Sequence, residues 1–205
     1  MKSVLISIQP KWCELIANGS KTIEVRKTKP KLETPFKVYI YCTQDKKFNF
    51  CTDNGEQYTH IGNGKVIGEF VCDCIANYEA ELWDDETFER IQEFFEPDDF
   101  AEYGEYEYKT IADNSDDFWK ENMLCKASCV TIEELRKYLG KGINTFYGWH
   151  ISNLVIYDKP RELSEFHIVG YNFINDFSGA LSIREERYWQ ITRPPQSWCY
   201  VESEG

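Results

Sequence analysis

Runs of β-branched and aromatic residues recur along this chain without helices alternating regularly between them, and that order restricts the fold more than any other feature. "SVLISI", Ser3 to Ile8, reads as a strand. Pro10 then opens a short helix through Trp12, Cys13, Leu15 and Ile16, because proline is tolerated in a first helical turn, and Gly19 is its stop. "FKVYIYC", "KVIGEFVCDCIANY", "TFYGWHISNLVIYD" and "SWCYVE" supply further strands, with Gly68 marking a bulge or bend. Thr43 to Gly64 is polar, holds Asn54-Gly55 and Gly62-Asn63-Gly64, and reads as an extended hairpin or loop. Between Asp84 and Glu121, "DDETFERIQEFF", "YGEYEYKTIA" and "SDDFWKENML" read as helical pieces. "VTIEELRKYLG" is a helix capped by Thr131, with Glu134 three residues on and Gly140 at its end. A doubly wound parallel sheet needs regular alternation of strand and helix, which is lacking here. The order predicts an α+β fold instead: a small mixed or antiparallel β-barrel flanked by helices. Residues 1–205 are expected to form a single domain, with 79–124 as an acidic helical insertion. Val4 to Ile8, Thr22 to Arg26, Phe36 to Cys42, Lys65 to Cys74 and His150 to Ile156 are expected in one curved sheet or barrel.

The net charge of -12 excludes a protein that coats duplex nucleic acid indiscriminately, since that mode relies on many cations neutralising phosphates. The charge is uneven, however. Residues 21–47 hold eight Lys/Arg against three Asp/Glu, whereas 79–121 hold three against seventeen. Only the first segment is suited to meeting phosphate, and the acidic, aromatic second one offers a surface for a basic protein partner. No run of about 18 apolar residues occurs, so no membrane span is expected, and the short apolar run before Gln9 and Pro10 leads to a cytoplasmic expectation. Eight cysteines in such a chain read as reduced thiols. Cys72 with Cys74 and Cys125 with Cys129 lack the doubled spacing of a structural zinc module, so no metal and no cofactor are expected.

One strand is unusual. In "GSKTIEVRK", Gly19 to Lys27, alternation places Ile23 and Val25 towards a core and Thr22, Glu24 and Arg26 on the other face. Lys21 stands at the mouth of the strand, after the Gly19-Ser20 turn. A carboxylate flanked by an arginine and a lysine stays ionised and offers one acceptor among several donors, which suits a polar planar ligand. The simpler reading is a solvated sheet face carrying an ordinary ion pair.

"GSKTIEVR" matches the pattern G-x-K-x-x-E-x-R and resembles the ASCH family of the PUA-like superfamily, in the same context of strand, Pro-led helix, glycine and motif. "FKVYIYCT", "GKVIGEFVCD", "TIEELRKYLG", "YGWHISNLVIYD" and "RPPQSWCYVE" are similar to the family in order and spacing, leaving Glu79 to Leu124 unmatched. The resemblance implies a small β-barrel with a cleft beside the motif, lined by Lys21, Glu24 and Arg26, for RNA or a modified nucleobase.

Around that cleft, Lys27, Lys29 and Lys31 would extend a basic patch. Trp12, Trp149 and Trp198 are candidates to stack on a base, Trp149 and Trp198 ahead of Trp12 because they lie in segments similar to the family. His150 is a candidate hydrogen-bonding or acid/base group, Ser7 a neutral one, and Cys42 with His150 a nucleophilic pair. Binding of RNA or a nucleotide-derived small molecule is the expected function. One alternative is a hydrolase of ribonuclease or amidohydrolase type, in which Lys21 and Glu24 would be catalytic. Amidohydrolase relatives carry a threonine three residues after the lysine and a helix glutamate, and here those places hold Glu24 and Ser128. A protein-interaction module built on the acidic middle segment is a second alternative.

Overall fold

The structure is a computed structural model and describes residues 2–52, 60–82, 88–95, 107–113, 123–142, 144–175 and 181–202. Its contacts group the chain into two compact units. The first comprises Met1–Ala17, Phe36–Val71 and Asn153–Gly205; the second comprises Asn18–Pro35 and Cys72–Ser152.

The first unit is organised around β1 (Lys2–Ile8), whose six residues from Ser3 to Ile8 are all buried. A strand covered on both faces needs a nearly continuous apolar run, which "VLISI" supplies with only Ser7 polar. β1 pairs in parallel with β3 (Phe36–Cys42) and antiparallel with β14 (Trp198–Glu202). The sheet extends through β6 (Val66–Cys72) to β11 (Ser152–Arg161) on one side. On the other it continues through the hairpin of β12 (His167–Asn175) and β13 (Leu181–Gln190). One face buries Leu5, Tyr39, Tyr41, Val66 and Val201 against Phe166 and Ile191, with the Tyr39 and Phe166 rings edge to face at 5.0 Å. Val4, Ile6, Val38 and Ile40 lie buried on the opposite face, and Cys13 and Ile16 of α1 (Pro10–Ala17) are buried as well. β4 (Cys51–Thr52) and β5 (His60–Ile61) form a separate small hairpin, as the turn-rich segment before Lys65 suggested. Gly68 marks close approach of two strands: a Cβ there would meet the carbonyl oxygen of Val155 and lie 3.1 Å from Ile156 Cα.

The second unit carries a five-stranded sheet. Its order is β2 (Ile23–Arg26), β10 (Thr145–His150), β7 (Ile75–Leu82), β8 (Phe88–Phe95), β9 (Glu107–Asp113). Val25, Tyr78, Ala80, Ile91 and Phe146 bury one face together with Leu124 of α2 (Met123–Ser128) and Leu135 and Leu139 of α3 (Ile132–Leu139). The Thr131 hydroxyl accepts from Glu134 N, and the Glu134 carboxylate accepts from Thr131 N at 3.0 Å, so α3 begins with the expected capping box. Gly148 keeps the core tight, because a Cβ there would fall 2.8 Å from the Tyr78 ring.

Three expectations are corrected. The fold is α+β, but its sheets are open rather than closed into a barrel: in the seven-stranded sheet β11 and β13 stand at opposite ends. The motif strand β2 does not share a sheet with β1, β3, β6 and β11, because its hydrogen-bonding partner is β10. The acidic stretch is not helical where it is described. β8 and β9 are strands, and the pairing of Ala80 with Ile91, both buried, shows why: the apolar positions of "FERIQEFF" are compatible with either period, and β7 supplies a ladder partner. The remaining part of that stretch, 83–87, 96–106 and 114–122, lies outside the described residues.

Candidate functional site

The charged face of β2 is assembled within the second unit. Thr22 N donates to Ala127 O at 2.8 Å and Thr22 O accepts from Ile151 N at 2.9 Å, which seats the start of β2 against the end of α2. Cys129, at a φ of 54°, turns the chain out of that helix. Lys21 Nζ then donates to Ser128 O at 2.6 Å, a cation on one of the carbonyls that a helix C-terminus leaves unpaired. The same ammonium lies 3.3 Å from Glu24 Oε2, and the other carboxylate oxygen, Oε1, lies 3.0 Å from Arg26 Nη2. Lys21, Glu24 and Arg26 are only 3%, 6% and 6% exposed. The solvated-face reading is therefore set aside, since two cations converge on one carboxylate away from bulk water.

Neighbouring strands complete that face. Glu24 lies opposite Trp149 on β10, and Arg26 opposite Tyr147. Tyr147 in turn lies opposite Asn77 on β7. Lys29 ties the row together, with Nζ 3.0 Å from Asn77 Oδ1 and 5.3 Å from the centre of the Tyr147 ring. Tyr138 on α3 stands at the rim, 40% exposed, with the Lys27 ammonium 5.2 Å from its ring centre. Burial of its hydroxyl pushes the Tyr138 phenol up, and the Arg26 charge and a hydrogen bond from Arg26 partly offset this.

The structure brings together Lys21, Glu24, Arg26 and Trp149, with Lys27 at the edge. Trp149 is fully buried, so it packs the sheet instead of offering a face to a base. His150 points the other way along β10 and is exposed; its Nδ1 lies 2.7 Å from Asp73 Oδ1, and this hydrogen bond holds the Asp73 carboxyl below its ordinary range. Ser7 and Trp198 belong to the first unit. There the Ser7 hydroxyl donates to Pro195 O at 2.7 Å, and the half-buried Trp198 packs edge to face on Tyr200 at 5.4 Å. The Cys42 thiol faces Thr43 O and Asn63 Oδ1, while His150 is engaged by Asp73, so neither contact is that of a nucleophile with its base. Sequence reasoning missed Tyr147, Asn77, Tyr138 and the Ser128 carbonyl. Alternation in "TFYGWH" places Tyr147 on the face of Trp149 and was a usable signal, whereas the other three depend on tertiary pairing.

Cys72 is buried while Cys74, two residues on, is exposed. Burial pushes Cys72 up to about 12, and its Sγ donates to Cys74 O at 3.4 Å. Because the thiolate is the reactive form, iodoacetamide at pH 8 is expected to label exposed Cys51 and Cys74 in the native protein and to spare buried Cys13, Cys42 and Cys72. Peptide mass spectrometry reads this directly. Labelling of Cys72 as fast as Cys74 would show that this burial does not hold in solution.

Comparison with known proteins adds a structural likeness. The chain is similar to ASCH from Zymomonas mobilis. Its crystal structure matches over 98% of this chain and 87% of that one, at 12% identity and a TM-score of 0.46. A tyrosine-to-phenylalanine mutant of the same protein matches over 98% and 91%, at 13% identity and a TM-score of 0.45. No family model and no curated protein matches the chain. Among the described residues no helix is long and apolar enough to cross a membrane.

Proposed function

We propose that this chain is an ASCH-type binding protein for single-stranded RNA or a nucleotide-derived small molecule, held on the β2–β10–β7 face by Lys21, Glu24 and Arg26. The observation that carries the reading is the carboxylate clamped between two cations beside a half-buried tyrosine. Such a row supplies what an unstacked nucleotide is read by: donors for phosphate or base edge, one fixed acceptor, and an aromatic ring to stack on. The basic link 26–31 supports it, as does the G-x-K-x-x-E-x-R pattern. Both oxygens of Glu24 are already engaged by cations, so the carboxylate serves as a fixed acceptor, and binding is favoured over hydrolysis.

The test is a titration of short single-stranded RNAs and of natural and modified nucleosides against wild type, Lys21→Met and Tyr147→Leu at two salt concentrations. Lys21→Met is expected to weaken RNA, because Glu24 loses one of the two cations that fix it. Tyr147→Leu is expected to cost about 1–3 kcal/mol of affinity, the value of one base stacked on one ring. Equal affinities across all three proteins would refute the reading, and release of a product by wild type would convert it to an enzyme.

A further inference from the structure

The first unit holds a feature that the β2 face does not use. A cavity of 540 Å³ is lined by His60, Asn63, Lys65, Lys159, Glu162 and Glu165, within the size range of small-molecule sites. Its walls are built from separate segments, each fixed by hydrogen bonds. Asn63 is buried and spends its side chain on the preceding loop: Oδ1 accepts from Phe50 N at 2.8 Å, and Nδ2 donates to Phe48 O at 2.8 Å. On the facing side β11 runs into a single 3-10 turn (Leu163–Glu165), closed by Glu165 Oε1 accepting from Glu162 N at 2.7 Å.

The lining holds two lysines and two glutamates, and Arg161 beside it adds a third cation. Glu162 is met by Lys65 at 2.9 Å, and Glu165 by Arg161 Nε at 3.0 Å, so each carboxylate of the cavity already has a cation. Lys159 is exposed and, among the described residues, has no ion-pair partner. With the His60 imidazole it places an ammonium and an imidazole in the wall of the hollow, beside Ile61 and Pro160, in a chain whose net charge is -12. An ammonium and a ring donor in a concave wall favour an anion with several acceptor oxygens. We infer that this cavity is an anion site for a phosphate ester, with Lys159 and His60 as its donors and the Lys65–Glu162 pair beside them. The ester could be a free nucleotide or a backbone phosphate of a single strand, and the measurement separates the two.

The probes are CMP, AMP, cytidine and hexauridylate RNA, titrated calorimetrically into wild type, Lys159→Ala, His60→Gln and Lys21→Met. Lys159 is exposed, so its removal leaves the fold intact, which circular dichroism verifies. CMP and AMP are expected to bind at least tenfold more tightly than cytidine, and Lys159→Ala to weaken both five- to tenfold. Competition of hexauridylate with CMP at this site would assign the ester to a strand, and its absence to a free nucleotide. Cytidine binding as tightly as CMP would overturn the inference, and so would CMP affinity that survives Lys159→Ala and His60→Gln. CMP affinity lost in Lys21→Met alone would overturn it too, and would leave the β2 reading standing.

Discussion

Glu24→Gln is expected to destabilise the protein by about 3–5 kcal/mol, the cost of removing one partner from a buried ion pair and leaving like charges behind. The change is nearly isosteric, so packing is conserved and the electrostatic effect is isolated. In the wild type the carboxylate sits 3.3 Å from Lys21 Nζ and 3.0 Å from Arg26 Nη2. In the variant two buried cations face an amide whose NH2 group repels one of them. Lys21→Met retains most of the aliphatic stem and leaves Glu24 with Arg26, so its cost should be smaller, about 1–3 kcal/mol from the lost charged hydrogen bond to Ser128 O. Urea unfolding of both variants and of the double mutant checks this, and the cycle should return a coupling of about 0.5–3 kcal/mol. A loss below about 1 kcal/mol for Glu24→Gln would return the trio to the class of solvated surface pairs.

Much of this site was legible because strand alternation is a local property. Glu24 and Arg26 share a face, and Val25 lies in the core with Phe146, as the period of two requires. The burial of the charged face was not legible, because the groups around it come from α2, α3 and β10, more than a hundred residues along the chain. The same limit explains the misplaced sheet. Alternation marks "IEVR" as a strand, yet nothing in it says that Tyr147 to His150 is the partner. The acidic stretch failed differently: Phe88, Ile91, Phe94 and Phe95 recur at a spacing that suits a helix, and only the pairing with β7 decides for strand. The hairpin β12–β13, with His167 opposite Gln190, had no sequence signal strong enough to name it. The cavity of the first unit joins residues about a hundred positions apart and has no linear motif at all.

Trp149→Ala is expected to cost about 3–5 kcal/mol, the usual penalty for deleting a large aromatic from a closed core. Its ring is fully buried, on the strand position that faces Glu24 on one side and Ile75 on the other. That location separates two roles that a tryptophan beside a binding motif can have. A stacking platform must present a ring face to solvent, whereas a packing residue fills volume and leaves ligand affinity alone once the volume is kept. Trp149→Phe preserves most of the apolar bulk, so it should lose less stability than the alanine variant and bind single-stranded RNA with wild-type affinity. Acrylamide quenching provides an independent reading, because removing a sheltered fluorophore should raise the quenchable fraction of the remaining tryptophan emission. If Trp149→Phe weakened RNA as much as Tyr147→Leu, the ring would have to be accessible in the bound state. The half-buried Tyr147, beside Lys29, would then no longer be the better candidate for stacking.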